Sequence, residues 1–176
     1  MNLHRMLLER KAAGKPVTIG LIGAGKFGTM FLSQVRVTDG MHVVAIADLN
    51  VKRAHSQLET ACWPKEQYQA TSMDDALKHG STFITDNADL LVDHPAVEVI
   101  IEATGDPRNG IKYALKSIQN HKHIIMVNVE ADVVAGPLLA RKAREAGVVY
   151  SLAWGDQPAL ICEHIDWARS AGFKVV

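Results

Sequence analysis

The chain has 176 residues, a length that supports one hydrophobic core of ordinary domain size and argues against two full domains. Hydrophobic residues make up 48% and charged residues 22%, a balance that excludes global disorder and predicts a folded, soluble protein. With 19 Lys and Arg against 19 Asp and Glu the formal charge is zero, so no surplus field exists to hold nucleic acid or an anionic membrane, and neither is an expected partner.

At the N-terminus, Leu3, Met6, Leu7 and Arg10 share helical spacing, which predicts a short amphipathic helix over residues 2–12, ended by Gly14-Lys15-Pro16. Arg5, Glu9, Arg10 and Lys11 interrupt its apolar run, so it is not read as a signal peptide. Its expected role is packing on the main domain or on a subunit partner. From Pro16 onward, continuous apolar runs alternate with stretches of helical period, the pattern of a parallel sheet buried on both faces. Strands are predicted at Val17 to Gly23, Met41 to Asp48, Thr82 to Thr85, Val97 to Thr104, His123 to Asn128 and Val148 to Ser151, with another beginning near Phe173. Helices are predicted from Lys26 to Val37, Val51 to Cys62, Met73 to His79, Pro107 to Asn120, Pro137 to Ala146 and Ala159 to Ser170. A short helix is added at Ala88 to Pro95, and Cys62 to Thr71 reads as a surface excursion. Gly80 and Gly147 suit helix C-caps, and Asp106-Pro107 places a capping carboxylate before a first-turn proline.

Gly23-Ala24-Gly25-Lys26-Phe27-Gly28 reads G-x-G-x-x-G between an apolar run and a helical stretch, which is the context that gives this weak pattern meaning. Gly23 would permit the tight turn, Gly25 the approach of a pyrophosphate, and Gly28 close packing of helix on strand. Free N–H groups at the helix start would meet the phosphates. The second apolar run ends in Asp48, where a carboxylate can accept hydrogen bonds from an adenosine ribose and so favours NAD. Lys52 and Arg53 follow closely and could instead hold the 2′-phosphate of NADP, or form a solvated helix face. Either NADP(H) or NAD(H) is the expected cofactor. The fold class is therefore α/β, a doubly wound parallel sheet of Rossmann type with a short N-terminal helix. Residues 1–15 are helix and linker, and residues 16–176 are the dinucleotide-binding domain.

Glu102-Ala103-Thr104-Gly105 closes the fourth strand and His123 to Asn128 forms the fifth, placing Thr104, Gly105 and Asn128 at the crevice edge. The order G-x-G-x-x-G, A-D, E-A-T-G, a strand ending in V-N, then Ala153-Trp154-Gly155-Asp156-Gln157-Pro158 resembles the nucleotide-binding domain of homoserine dehydrogenases over about residues 16 to 170. That family carries an Asn-Lys pair in the segment where this chain has Glu130-Ala131. The runs V-N-V-E-A-D at Val127 to Asp132 and G-D-Q-P-A-L-I-C-E at Gly155 to Glu163 look like a narrower group, homoserine-dehydrogenase-like oxidoreductases with a C-terminal SAF domain, which includes the deoxyxylulose phosphate reductoisomerase-like enzymes. This resemblance implies NADPH-dependent reduction, in some members of 1-deoxy-D-xylulose 5-phosphate to 2-C-methyl-D-erythritol 4-phosphate. It also implies substrate-binding and dimerising parts beyond residue 170. On that basis the chain is expected to be the N-terminal part of a longer, homo-oligomeric enzyme acting on a small molecule, and inactive alone. The alternatives are a homoserine-type dehydrogenase and a non-catalytic regulatory module.

Among candidate acids, Glu130 immediately follows a strand end and Asp156 precedes Pro158 at a helix start, so each is a candidate for proton transfer or for capping. Glu130 with Asp132 could also hold a divalent metal, expected only in the full-length enzyme, and no metal ligand is assigned. His121 and His123 fit a solvated turn better than a metal pair, His164 fits a surface or packing role, and Trp154 and Trp167 fit core or interface positions better than a stacking platform. Cys62 and Cys162 form no C-x-x-C and lack an activating partner, which suits buried or inert thiols in a reducing, cytoplasmic setting.

Overall fold

Apolar runs without polar alternation build the centre of a parallel sheet, since side chains on both faces are covered. The structure, a computed structural model, describes residues 2–153 and 157–176, with side chains from residue 161 onward in the second stretch. Strands β1 (Val17–Ile22), β2 (Met41–Ala47), β3 (Phe83–Thr85), β4 (Val99–Glu102), β5 (His123–Met126) and β6 (Tyr150–Leu152) lie in the order β3-β2-β1-β4-β5-β6, every pair parallel. The order reverses between β1 and β4, and a crevice opens beyond the carboxyl ends of strands at such a point.

Helices α1 (Leu3–Ala12), α2 (Lys26–Val35), α3 (Val51–Thr60), α4 (Met73–His79), α5 (Ala88–Asp93), α6 (Pro107–Gln119), α7 (Val129–Glu145) and α8 (Gln157–Ser170) complete the chain. On one face Leu32 of α2 and Ala54 and Leu58 of α3 share a core with Ile19, Leu21, Val43 and Ile46. On the other, Leu91, Ala114, Ile118 and Leu139 pack with Val44, Ile100, Ile124 and Met126. The register between β1 and β2 shifts at Ile19/Gly20, which is why the successive residues Val44 and Ala45 enter the same core. Gly80 ends α4 in the left-handed conformation, φ 66°, as its sequence position predicts.

Several predicted elements are corrected. Helix α7 begins at Val129 and not at Pro137, because Asn128 is its N-cap, accepting the N–H of Ala131 at 3.1 Å. Pro137 lies inside the helix, where its missing N–H leaves the carbonyl of solvent-facing Val133 without an intrahelical donor. No strand forms at Phe173. The chain there turns back on α8, with the N–H of Phe173 donating to the carbonyl of Ala168 and its ring stacked on Trp167. The segment from Cys62 to Thr71 is largely exposed, as a surface excursion would be, but it is anchored by a 3-10 turn at Lys65–Tyr68 that buries Tyr68 and by Trp63 Nε1, which donates to the carbonyl of Leu32 at 2.9 Å.

Helix α1 docks at the amino end of the sheet, with Arg10 bonded to Glu98 at 2.6 Å and Lys11 to Asp39 at 2.6 Å. Lys122, 3% exposed, donates to the carbonyls of His94 and Val97 at 2.6 and 2.7 Å, and burial pushes its pKa down. Among the described residues no helix is long and apolar enough to cross a membrane.

Candidate functional site

The three glycines of the turn after β1 answer to three different neighbours. Gly23 has φ 100°, and a Cβ there would stand 2.5 Å from the carbonyl oxygen of Ala103 in the loop after β4. A Cβ at Gly28 would meet the carbonyl oxygen of Gly23 at 2.6 Å, so this residue sets how closely α2 approaches β1. Above Gly25 the space is open, and no side chain caps α2 there. The turn therefore offers helix N–H groups and room for an anionic group at one place.

Asp48, next after β2, is buried and fully engaged. Its carboxylate accepts the N–H groups of Ala24 and Asn50 at 2.8 Å, and Arg53 Nη2 lies 2.8 Å from both oxygens. Burial works to raise its pKa, but the Arg53 guanidinium and the two N–H groups outweigh it and hold the carboxyl below the usual range. The Asp48 side chain is 1% exposed and that of Arg53 51%, so what faces outward here is a cation. Sequence reasoning gave Asp48 to the ribose. In the structure its carboxylate also fastens the glycine turn, through Ala24, to the start of α3.

A crevice of about 360 Å³ brings Gly23, Gly25, Asp48 and Arg53 together with Thr104. It also contains Leu49, Asp86, Ala88, Asn109 and Tyr113, which sequence reasoning missed. The usable signal was positional, since Asp86 follows the carboxyl end of β3 and Asn109 lies in the first turn of α6. Ala24 and Gly28 are buried in packing roles, and Lys26 and Lys52 are exposed outside the crevice lining. Phe27 faces a separate apolar groove with Ile101, Ile125 and Val127. Gly105 has φ 72° and open space around it, next to Thr104.

Asn128 is 2% exposed, and its amide bridges two helix starts by accepting from Ala131 N–H and donating to the carbonyl of Asp106 at 2.9 Å. Glu130 is exposed in the first turn of α7. Asp132 turns away from the crevice to accept the Tyr150 hydroxyl at 2.8 Å, and burial together with Asp132 pushes the Tyr150 pKa strongly up. The two acids thus do not form a pair. Among the described residues no cluster of three or more His, Cys, Asp and Glu could hold a metal ion. His123 Nδ1 accepts the N–H of Val149 at 3.0 Å and His121 Nδ1 lies 3.3 Å from the carbonyl of Ala146, so each serves backbone. Asp156 and Trp154 lie outside the described residues.

Residues 17–152 match the Gfo/Idh/MocA oxidoreductase family, NAD-binding Rossmann fold. The homoserine dehydrogenase of Pseudomonas aeruginosa is 27% identical over 135 residues, 77% of this chain and 28% of that protein. The crystal structure of a homoserine dehydrogenase from Thiobacillus denitrificans shares the fold at 21% identity and TM-score 0.56, over 76% of this chain and 28% of that one. The WlbA dehydrogenase from Bordetella pertussis, solved with NADH and UDP-GlcNAcA, shares it at 14% identity and TM-score 0.60, over 90% of this chain and 44% of that one. This chain spans less than half the length of each of these relatives. Because the match runs from the first residue of β1 to the last of β6, the chain belongs to the Gfo/Idh/MocA oxidoreductase family and comprises its NAD-binding Rossmann domain.

Proposed function

We propose that this chain is the dinucleotide-holding part of an NAD(P)H-dependent oxidoreductase. The observation that carries this reading is the open space above Gly25 between the uncapped start of α2 and Thr104, at the point where the strand order reverses. There the pyrophosphate would take the N–H groups of Lys26 and Phe27, while Gly23 and Gly28 keep the turn and helix close enough for that approach. Thr104 and Gly105 would flank the nicotinamide end, and Asn128 would fix the edge of β5 beside it. When bound, the nicotinamide supplies the hydride.

Cofactor preference follows from Asp48. A carboxylate already accepting from Ala24, Asn50 and Arg53 has little left for a ribose hydroxyl, whereas Arg53 presents unused N–H groups to the crevice. The site therefore favours NADP(H), with exposed Lys52 adding to the positive field.

At the level of substrate, the V-N-V-E-A-D run supports the deoxyxylulose phosphate reductoisomerase-like reading and, with it, a SAF domain in the full-length enzyme. In that reading Glu130, exposed at the start of α7, and Asp156 are the groups offered for proton transfer. The Pseudomonas relative favours a homoserine-type dehydrogenase instead. Against the lysine of that family, Ala131 is buried and a Cβ at Gly110 would lie 2.8 Å from its own, so the position has no room for a long side chain.

Calorimetric titration with NADPH and NADH tests the reading. NADPH is expected to bind more tightly, and Gly25→Val to abolish binding with an unchanged circular dichroism spectrum. Arg53→Gln is expected to weaken NADPH by roughly tenfold or more and to spare NADH, as the loss of a charge-assisted pair predicts. Equal effects on both would remove Arg53 from the ribose. Failure of the wild-type chain to bind either dinucleotide would overturn the proposal.

A further inference from the structure

Glu102 is an acid that the site described above leaves without a role. It ends β4, flanked in the sheet by Ile22 and Met126, and is 0% exposed. One carboxyl oxygen accepts the N–H of Thr104 at 3.1 Å, while Oε2 is closed off from solvent and has no partner among the described residues. Gly110 of α6 makes room for it, since a Cβ there would stand 3.1 Å from Oε2 and 2.8 Å from Nδ2 of Asn128. Above it, the Thr104 nitrogen lies 3.1 Å from where a Cβ of Gly23 would be. The carboxyl thus sits under the crevice floor, tied to the loop after β4 where that loop touches the glycine turn.

A buried carboxylate with an unpaired oxygen costs far more than the same group carrying a proton. Among the described residues its surroundings supply no cation. The titratable groups facing it are Asp106 at the start of α6 and Tyr150 on β6, with Asp132 of α7 behind the tyrosine. The remaining neighbours, Ile22, Met126 and Ala131, carry no charge. Burial raises the pKa of this carboxyl against the hydrogen bonding of Thr104 and the influence of the nearby Asn128 amide, and Asp106 adds to the rise.

We propose that Glu102 is a positioning residue for the dinucleotide site, holding the loop after β4 against the glycine turn as a neutral carboxylic acid, so that loss of its proton weakens dinucleotide binding. This rests on the reading that the crevice takes a nicotinamide dinucleotide. A pyrophosphate arriving beside Thr104 brings negative charge toward Glu102, so binding and deprotonation oppose each other. Linkage then requires affinity to fall as pH rises through the titration of Glu102, and requires the bound dinucleotide to raise that titration midpoint.

The test is the affinity of the 176-residue chain for NADH, which has no 2′-phosphate to titrate, across about pH 5.5 to 9. Wild type is expected to lose affinity with pH, at most about tenfold per unit, as one coupled proton allows. Glu102→Gln, a neutral isostere, is expected to keep the low-pH affinity and show no such slope. Parallel slopes in the two proteins overturn the assignment, and so does a Gln variant that binds weakly at every pH. A readout independent of the variant is the Glu102 carboxyl carbon resonance in wild type, whose midpoint should rise on saturation with NADH. An unmoved midpoint overturns the proposal. Absence of any NADH or NADPH binding overturns the dinucleotide reading itself, an outcome distinct from binding with an unaltered slope.

Discussion

Gly23 and Gly25 sit two positions apart under opposite constraints. At Gly23 a methyl group meets the Ala103 carbonyl, and φ is 100°, a conformation that L side chains rarely adopt. Gly23→Ala should therefore destabilise the fold by about 2–3 kcal/mol in urea denaturation, the usual scale for strain plus overpacking. Gly25→Ala meets open space at φ −79° and should cost less than about 1 kcal/mol. Equal losses would show that the turn relaxes. Asp48 gives a pH-dependent counterpart. Its pKa is depressed below 3.8 in the folded protein, so its contribution to stability is full above that value and lost as pH falls through the lower folded one. Asp48→Asn should lower stability at neutral pH by roughly 1–3 kcal/mol and flatten the acid limb below about pH 4. An acid limb as steep as that of wild type would place the titration elsewhere.

At the scale of elements, the starts of α6 and α7 are joined by Asn128, which explains why α7 begins directly after β5 and runs for 17 residues. A proline inside it is tolerated because the orphaned carbonyl belongs to Val133, 83% exposed, where water can serve it. Helix α5 is closed differently. Its C-terminal carbonyl at His94, with that of Val97, is held by the buried Lys122 ammonium. Lys122→Met keeps the aliphatic bulk but removes the lysine donor from the Val97 carbonyl and leaves that of His94 with only the Val97 N–H. It should destabilise the protein by about 1–3 kcal/mol, the cost of unsatisfied buried acceptors, and speed amide exchange around residues 94–98. Unchanged exchange there would show that the lysine acts only through packing.

Across the whole molecule the winding of the sheet leaves its two faces unlike. Helices α6 and α7 cover β4, β5 and β6 on one face. On the other, Val99, Ile101, Ile125 and Val127 open into an apolar groove of about 750 Å³ bounded by Phe27, Met30 and Phe31. Among the described residues its lining carries no titratable side chain, whereas Asp48, Arg53, Asp86 and Asp106 line the smaller crevice at the carboxyl ends of the strands. Such a surface should bind anilinonaphthalene sulfonate in the native state, and Ile125→Gln should lower that fluorescence at least about twofold while unfolding stays cooperative. Fluorescence unaffected by the substitution would place the dye elsewhere.

Periodicity and punctuation determine the alternation of strands and helices, the glycine turn and the doubly wound class, because each is a property of neighbouring residues. Short continuous apolar runs that alternate with stretches of helical period suit strands buried on both faces, and Gly23 to Gly28 between such a run and a helix suits a tight turn. Pairings across the chain were decided by the tertiary structure. Nothing near Asp48 in sequence tells that its carboxylate is taken up by Ala24, 24 positions away, and by Arg53. Asp132 is drawn to Tyr150, and Glu102 is left with an unpartnered oxygen beneath Gly110, for the same reason. Pro137 misled because its local preference for a helix start was overridden by Asn128, which caps Ala131 three residues on while its amide N–H is held by the Asp106 carbonyl at the start of α6. Hydrophobic pattern reports which face a residue turns to the core. Which polar group it meets there depends on distances that only the folded chain sets.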